Sequence, residues 1–241
     1  RVLVTGASGG LGAHFAGVLA QAGASVILGA RRTGQLETAA EKVREAGREA
    51  RCVSLDVSSA QSVEAAFEDI PVPDVIVNNA GIHLPGTTHD LAEEDWARVM
   101  DTNVKGAWLV ARAALRRWID AKRGGNVVNV ASILGLRVQN QFAAYAASKA
   151  ALIQLTRSLA LDYARYGVRA NALCPGYFAT DLNREWLASP SGEKMRMRIP
   201  LRRTGEFHEL DGAMLLLASD ASSYMSGSTV VVDGGHTQNT L

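Results

Sequence analysis

Short runs of strand-forming residues recur along the whole chain, at about 2–4, 24–29, 50–55, 74–78, 126–131, 168–173 and 229–232, with helical patterns at 15–22, 34–46, 94–122 and 143–165. Few folds accept that alternation. Strand, helix and strand in succession return in parallel through right-handed crossovers, so the chain is predicted to form an α/β, doubly wound parallel sheet. Gly23 and Gly47 follow the last apolar positions of the first two helical patterns and act as stop signals. No linker rich in Pro, Gly or Ser, no repeat and no shift in composition divides residues 1–241, so one domain is expected. The alternation breaks at 177–205, just past Pro175-Gly176, where Leu182, Trp186 and Leu187 mix with charges. An insertion at the carboxyl end of a strand is expected to form a lid over a substrate.

The turn after the first strand reads Thr5-Gly-Ala-Ser-Gly-Gly-Leu-Gly12 and runs straight into a helix. A pyrophosphate needs backbone N–H groups aimed at it and no side chains in the way; Gly6, Gly10 and Gly12 meet that need, and the helix adds the positive end of its dipole. At the end of the second strand, where an acidic residue would grip both hydroxyls of an adenosine ribose, stand Ala30, Arg31 and Arg32. A guanidinium in place of the acid favours NADP(H), with NAD(H) as the alternative. Asp56 ends the third strand, where it is placed for the adenine amino group or, as a bare Asp, for a turn or helix cap.

In Tyr145-Ala-Ala-Ser-Lys149 the spacing of four puts a phenol and an ammonium on one helix face. A tyrosine that trades a proton at neutral pH stands roughly 4 kcal/mol from its ordinary pKa of about 10. A lysine charge about 4 Å away is worth roughly that much at an effective dielectric of 20, whereas burial alone acts in the opposite direction. The pair occurs on many helices, so its meaning depends on what surrounds it.

Composition narrows the partners. With 25 basic and 24 acidic residues mixed along the length, the formal net charge is +1, which offers no footprint for nucleic acid or a membrane surface. No apolar run approaches the ~18 residues of a membrane span, and the chain opens on strand residues rather than a signal peptide, so a cytoplasmic location is expected. Cys52 and Cys174 lack CxxC spacing, which predicts buried free thiols and no metal site. The long helices carry apolar or small residues almost all round, Val110, Ala111, Ala113, Ala114 and Leu115 on one and Ala150, Leu152, Ile153 and Leu155 on the other. Such helices need cover on both sides, so a homo-oligomer, a dimer or homotetramer, is expected.

Taken together, these motifs resemble the short-chain dehydrogenase/reductase family over nearly the whole length, with its Rossmann-type fold. Thr5-Gly6…Gly10…Gly12 looks like the cofactor turn, with Ser8 and Leu11 inside it; Asp56-Val57 looks like the adenine contact and Asn78-Asn79-Ala80-Gly81 like the motif after the fourth strand. Asn103, Ser132, Tyr145 and Lys149 match the catalytic tetrad, Pro175-Gly176 with Phe178 and Thr180 the segment that holds the nicotinamide amide, and Val231-Val232-Asp233-Gly234-Gly235 the usual ending. The resemblance implies that Ser132 polarises a substrate carbonyl, Tyr145 carries the proton, Lys149 lowers the tyrosine pKa and binds the nicotinamide ribose, and Asn103 anchors a water joining Lys149 to solvent. It also marks two departures: Gly9 stands where some NADP-preferring members carry a second basic residue, and 67–74 is short, as for a trimmed surface connection.

The implied activity is hydride transfer between NADP(H) and a medium-sized ketone or secondary alcohol, in a pattern shared by the 3-oxoacyl thioester reductases and by related ketone reductases and alcohol dehydrogenases. An NAD-dependent alcohol dehydrogenase is the alternative, and a cofactor-binding regulator without turnover is the alternative of another class. The complete tetrad argues against the regulator. Ser132, Leu134, Tyr177 and Trp186, with His83, Gln139, Phe178 and Leu182, are expected on the substrate side, His83 without a catalytic part; Cys174 is expected to pack.

Overall fold

Every strand expected from the sequence is present, and all join one sheet. The computed structural model describes residues 1–179 and 184–238. In chain order the elements are β1 (Val2–Thr5), α1 (Gly10–Gln21), β2 (Val26–Ala30), α2 (Thr33–Glu45), β3 (Ala50–Ser54), α3 (Ala60–Asp69), β4 (Val75–Asn78), α4 (Glu93–Met100), α5 (Gly106–Asp120), β5 (Gly125–Val130), α6 (Ala143–Tyr163), β6 (Val168–Pro175), α7 (Arg184–Leu187), α8 (Pro190–Arg196), α9 (Asp211–Ala218) and β7 (Thr229–Val232). The strand order is β3-β2-β1-β4-β5-β6-β7, and every pairing is parallel. The order reverses at β1, between β2 and β4, which opens a crevice at the carboxyl ends of β1 and β4.

The strands read as unbroken apolar runs because both faces of the sheet are covered. Val2 and Val4 face a core built with Phe15 and Leu19 of α1, Leu36 and Val43 of α2, and Met214 and Leu217 of α9. Leu3, from the same strand, points the other way, into a core with Val63 and Phe67 of α3, Val110 and Trp118 of α5, and Leu159 of α6. The β1 register is thereby fixed, since a slip of one residue would exchange the two cores.

The structure departs from the sequence reading in four places. Helices α3 and α9 fill crossovers for which no helix was predicted; Ser59 caps α3 by accepting from the Ser62 N–H, and Val63, Ala66 and Phe67 make its buried stripe. The single helix expected at 94–122 is α4 and α5 joined by a π-helical turn, Asp101–Lys105. The 67–74 connection is no loose surface piece, because Phe67 and Ile70 are buried and the Trp118 indole and Arg123 guanidinium both donate to the Pro73 carbonyl, at 2.8 and 2.9 Å. Cys174 is buried as expected, whereas Cys52 is partly exposed, and both are free.

Candidate active site

At the crevice the end of β4 grips the end of β1. The Thr5 hydroxyl accepts from the N–H groups of Asn79 (3.1 Å) and Ala80 (3.0 Å), while the Asn79 amide donates to the carbonyls of Thr5 (3.0 Å) and Gly6 (3.4 Å). Gly6 has φ +67, and a Cβ there would lie 2.9 Å from the Ala80 Cα; at Gly12 a Cβ would lie 2.4 Å from the Gly6 carbonyl oxygen. Only glycine closes the turn this tightly. Helix α1 then begins with Gly9 at its N-cap and no side chain on its first amides, which leaves backbone donors and a positive dipole end for an anion. A dinucleotide pyrophosphate fits this cradle. Asn79, expected as a cofactor contact, gives its amide nitrogen to the turn and so helps shape the cradle.

Arg32 donates to the Ser8 hydroxyl at 3.0 Å, on the turn itself. Arg31 acts instead on Asp56, whose carboxyl is held below the usual range first by the Ser58 hydroxyl and also by the Arg31 charge. One Asp56 oxygen accepts from the Ser58 N–H (3.0 Å) and hydroxyl (2.7 Å), leaving the other for an adenine. Val57 is buried, and its side chain would strike a Cβ at Gly106, so any part it plays is through its backbone. The sequence reading placed Arg31 and Arg32 together at the end of β2 and noted the missing base at Gly9; of the two, Arg32 brings its guanidinium to that side of the turn.

The four residues of the tetrad converge beside this cradle. Ser132 follows β5, caps the short turn Ile133–Gly135 by accepting from the Leu134 N–H at 3.1 Å, and stands near enough to the Tyr145 phenol to act on its ionisation. Burial pushes the phenol up to about 12, against the opposing effect of Ser132. Lys149 is buried, donates to the Val130 carbonyl at 2.8 Å, and holds its Nζ 5.5 Å from the Tyr145 ring centroid. With no carboxylate beside it, burial lowers its pKa from 10.5 to about 8. Lys149 makes no resolved contribution to the Tyr145 phenol in this geometry: burial dominates both groups and moves them in opposite directions.

Asn103 sits on the π turn and is fully buried. Its amide donates to the Ile82 carbonyl (2.9 Å) and the Ser148 hydroxyl (3.0 Å), and its oxygen accepts from the Ile82 N–H (2.8 Å), which pins α6 to the chain leaving β4. The implied water toward Lys149 is left one lone pair on that oxygen. A Cβ at Gly81 would lie 3.3 Å from this oxygen and 3.4 Å from the Lys149 Nζ, so Gly81 keeps the space between them open.

Of the aromatic rings, His83 and Phe142 stand 6.0 and 6.4 Å from that of Tyr145. Tyr177 packs against Trp186 (5.9 Å) and His236 (5.6 Å), and its phenol donates to the Gln139 side-chain oxygen. His236 was missed by the sequence reading because it arrives from beyond β7, held there by Asp233, which accepts from the Thr237 N–H at 2.7 Å, and by Arg137, which donates to the Thr237 carbonyl at 2.8 Å. Leu134 and Gln139 also line a groove of about 760 Å³ beside α6. The Phe178 side chain is buried core and its ring would strike a Cβ at Gly205, so its expected cofactor contact falls to its backbone. Gly176 donates to the Val232 carbonyl at 2.8 Å and carries Pro175 to the end of the sheet. Thr180 and Leu182 lie outside the described residues. Burial raises the Cys174 thiol to about 11, which suits packing and not nucleophilic work. Among the described residues no helix is long and apolar enough to cross a membrane, and no group of His, Cys, Asp or Glu could hold a metal ion.

Residues 6–237 match the family model described as enoyl-(acyl carrier protein) reductase. Gluconate 5-dehydrogenase of Gluconobacter oxydans is 36% identical over 98% of this chain and 94% of its own, and 3beta-hydroxysteroid dehydrogenase 1 of Eggerthella lenta is 38% identical over 98% and 93%. The crystal structure of a gluconate 5-dehydrogenase from Burkholderia cenocepacia in complex with NADP and tartrate superposes with a TM-score of 0.95 at 36% identity, covering 100% of this chain and 96% of that one.

Proposed function

The chain belongs to the short-chain dehydrogenase/reductase family, and on that premise we propose that it reduces a small hydroxylated ketone with NADPH, or oxidises the matching secondary alcohol with NADP⁺. The class of reaction, hydride transfer between NAD(P)(H) and a C=O/CH–OH pair, goes with the family. The observation that carries the reading is the buried Tyr145 phenol with Ser132 beside it and the Lys149 ammonium 5.5 Å from its ring, next to a glycine cradle.

In this reading the bound nicotinamide supplies or accepts the hydride. The Ser132 hydroxyl bonds the substrate oxygen, where negative charge develops, and Tyr145, kept protonated by its burial, gives that oxygen its proton. Lys149 offsets the phenolate left behind and has two further donors for the nicotinamide ribose. Asn103 holds α6 so that Tyr145 and Lys149 keep their places. The Gly6–Gly12 cradle, Arg31 and Arg32 take the cofactor phosphates, Asp56 the adenine, and Pro175, Gly176 and Thr180 the nicotinamide amide. Residues 177–205 close over the substrate; α7 and α8 give this segment a small core of its own, Leu187, Met195 and Ile199.

Hydroxylated substrates are favoured by the gluconate-type relatives and by the polar groups beside Tyr177. A 3-oxoacyl thioester is a second reading, favoured by the description of the matching family model and by the apolar Leu134, Phe142 and Trp186 nearby. Exposed Trp108 of α5 and Leu161 of α6 further support self-association as a dimer or tetramer, which sedimentation at micromolar concentration tests. For the activity, Tyr145→Phe should lower NADPH-dependent turnover of ketones by about 10²- to 10⁴-fold while NADPH still binds. Retained turnover sinks the assignment of Tyr145, and a parent inactive on a broad ketone panel revives the regulator.

A further inference from the structure

Helix α1 carries the glycine cradle on a first turn that its own sequence holds weakly. Gly9 is its N-cap, Gly10 and Gly12 are two of its first three residues, no side chain caps its free amides and no acid stands in the turn. Glycine is among the poorest helix formers, and around Gly9 and Gly10 a Cβ would meet nothing within 4 Å, so no neighbour presses on them. His14 is the first polar side chain of α1, one helical turn after Gly10. A carboxylate only accepts, so the His14 Nε2–H donates to an Asp211 oxygen, at 2.6 Å, and the imidazole packs 5.4 Å from the ring of Phe207. The two side chains are 24% and 31% exposed, so water and salt screen this bond less than one on open surface. His14 and Asp211 line the same groove, of about 600 Å³, as Ser8, Gly9 and Gly10, which places the tie beside the turn.

The far end of the tie is rigid. Asp211 opens α9, where Leu210, Met214 and Leu217 are buried and the Asn126 amide donates to the Leu217 carbonyl at 2.8 Å. The short turn before it, Phe207–Leu210, is closed by Glu209, which accepts from the Glu206 N–H and from Arg203, each at 2.7 Å. Farther along α1, Phe15, Ala16, Leu19 and Ala20 are buried and hold the body of the helix without His14. What the tie adds therefore falls on the first turn.

A turn whose amides point at the ligand only part of the time binds more weakly in proportion to that fraction. We propose that the His14–Asp211 bond sets how tightly the chain holds a dinucleotide pyrophosphate, by keeping the first turn of α1 in its binding form before the cofactor arrives, with both residues as positioning residues. The proposal rests on the cofactor reading given above and adds to it a control point outside the motifs that carry that reading.

The test titrates NADPH and NADH, followed by fluorescence, into the parent, into His14→Phe, which keeps a ring against Phe207 and loses the bond, and into Asp211→Ala. Each variant should bind both cofactors about tenfold more weakly, by one factor because the pyrophosphate is common to the two, and in turnover the loss should fall on the KM for NADPH rather than on kcat. His14→Gln and Asp211→Asn keep a donor and an acceptor at the two ends and should stay within about threefold of the parent, while His14→Phe with Asp211→Ala should bind no worse than the weaker single variant. Asp211→Ala leaves the ring packing alone and carries the test if His14→Phe does not fold. Parental affinity in the variants without the bond overturns the proposal and leaves the enzyme reading intact. So do conservative variants as weak as those that lose the bond, the mark of a packing role, and a loss confined to NADPH, the mark of an effect on its 2′-phosphate. A parent that binds neither cofactor overturns the cofactor reading and the proposal with it.

Discussion

Replacing Lys149 by Met should leave an inactive protein whose stability no longer rises with alkaline pH. Burial lowers the ammonium pKa from 10.5 to about 8, so charging Lys149 inside the fold costs about 3 kcal/mol more than charging it in the unfolded chain. Lys149→Met removes that cost and also removes the bond to the Val130 carbonyl, worth about 1–3 kcal/mol, so the two variants can be equally stable at pH 7. The pH dependence separates the effects. Because the folded pKa lies below the unfolded one, the unfolded chain holds a proton between about 8 and 10.5 that the folded protein has released, and raising the pH over that window favours the fold. Between pH 7 and about pH 9.5 the parent should gain about 2 kcal/mol relative to Lys149→Met, with every other titrating group cancelling in the difference. Urea unfolding followed by circular dichroism at the two pH values measures it, provided the m-values agree. Parallel pH curves for the two proteins would refute the claim that the fold carries a strained, uncompensated ammonium in its site.

Three further outcomes follow from the same geometry. Ketone reduction should fall about tenfold per pH unit above about 8, where Lys149 loses its charge while Tyr145, held up near 12, still keeps its proton; a rate profile flat to about pH 10 counts against this pairing. Gly12→Ala puts a Cβ 2.4 Å from the Gly6 carbonyl and should weaken NADPH binding by at least about tenfold in a fluorescence titration, whereas unchanged affinity would mean the cradle is not where the pyrophosphate lies. Arg31→Ala and Arg32→Ala should each cost NADPH about ten- to hundredfold in affinity and NADH much less, and equal losses for the two cofactors would remove the phosphate from both arginines.

The sheet was legible because a parallel strand covered on both faces must be apolar throughout, and Val2, Leu3 and Val4 carry that pattern with no help from distant residues. The Tyr145–Lys149 pair was legible for a similar reason, as a spacing of four is a geometric statement about a helix. What could not be read was set by contacts far apart in sequence. His236 reaches Tyr177 only through the bonds of Arg137 and Asp233 around Thr237, and nothing near position 236 announces them. The environment of Lys149 was misjudged for the same reason: spacing gave its proximity to the phenol, but how far burial moves each group depends on the fold around Val130 and Asn103. The tie that the Asn79 amide makes between two strand ends could not be read from the motif, because it is a contact between positions more than seventy residues apart.

The π turn at Asp101–Lys105 makes the position of Asn103 a matter of chain length as well as residue type. A π turn takes up one residue more than an α-helical path of the same span, and such turns tend to occur at functional sites. Losing any one residue of the segment other than Asn103 would let α4 and α5 fuse into an uninterrupted helix with both flanks in place, turning only the side chains of the former π turn. All four members of the tetrad would still be present in such a chain, yet Asn103 would have left Ile82 and Ser148. A homologue shortened there can thus carry every motif of an active enzyme and lack the brace that keeps α6 in place, a difference visible to a count of residues and invisible to a search for the motifs.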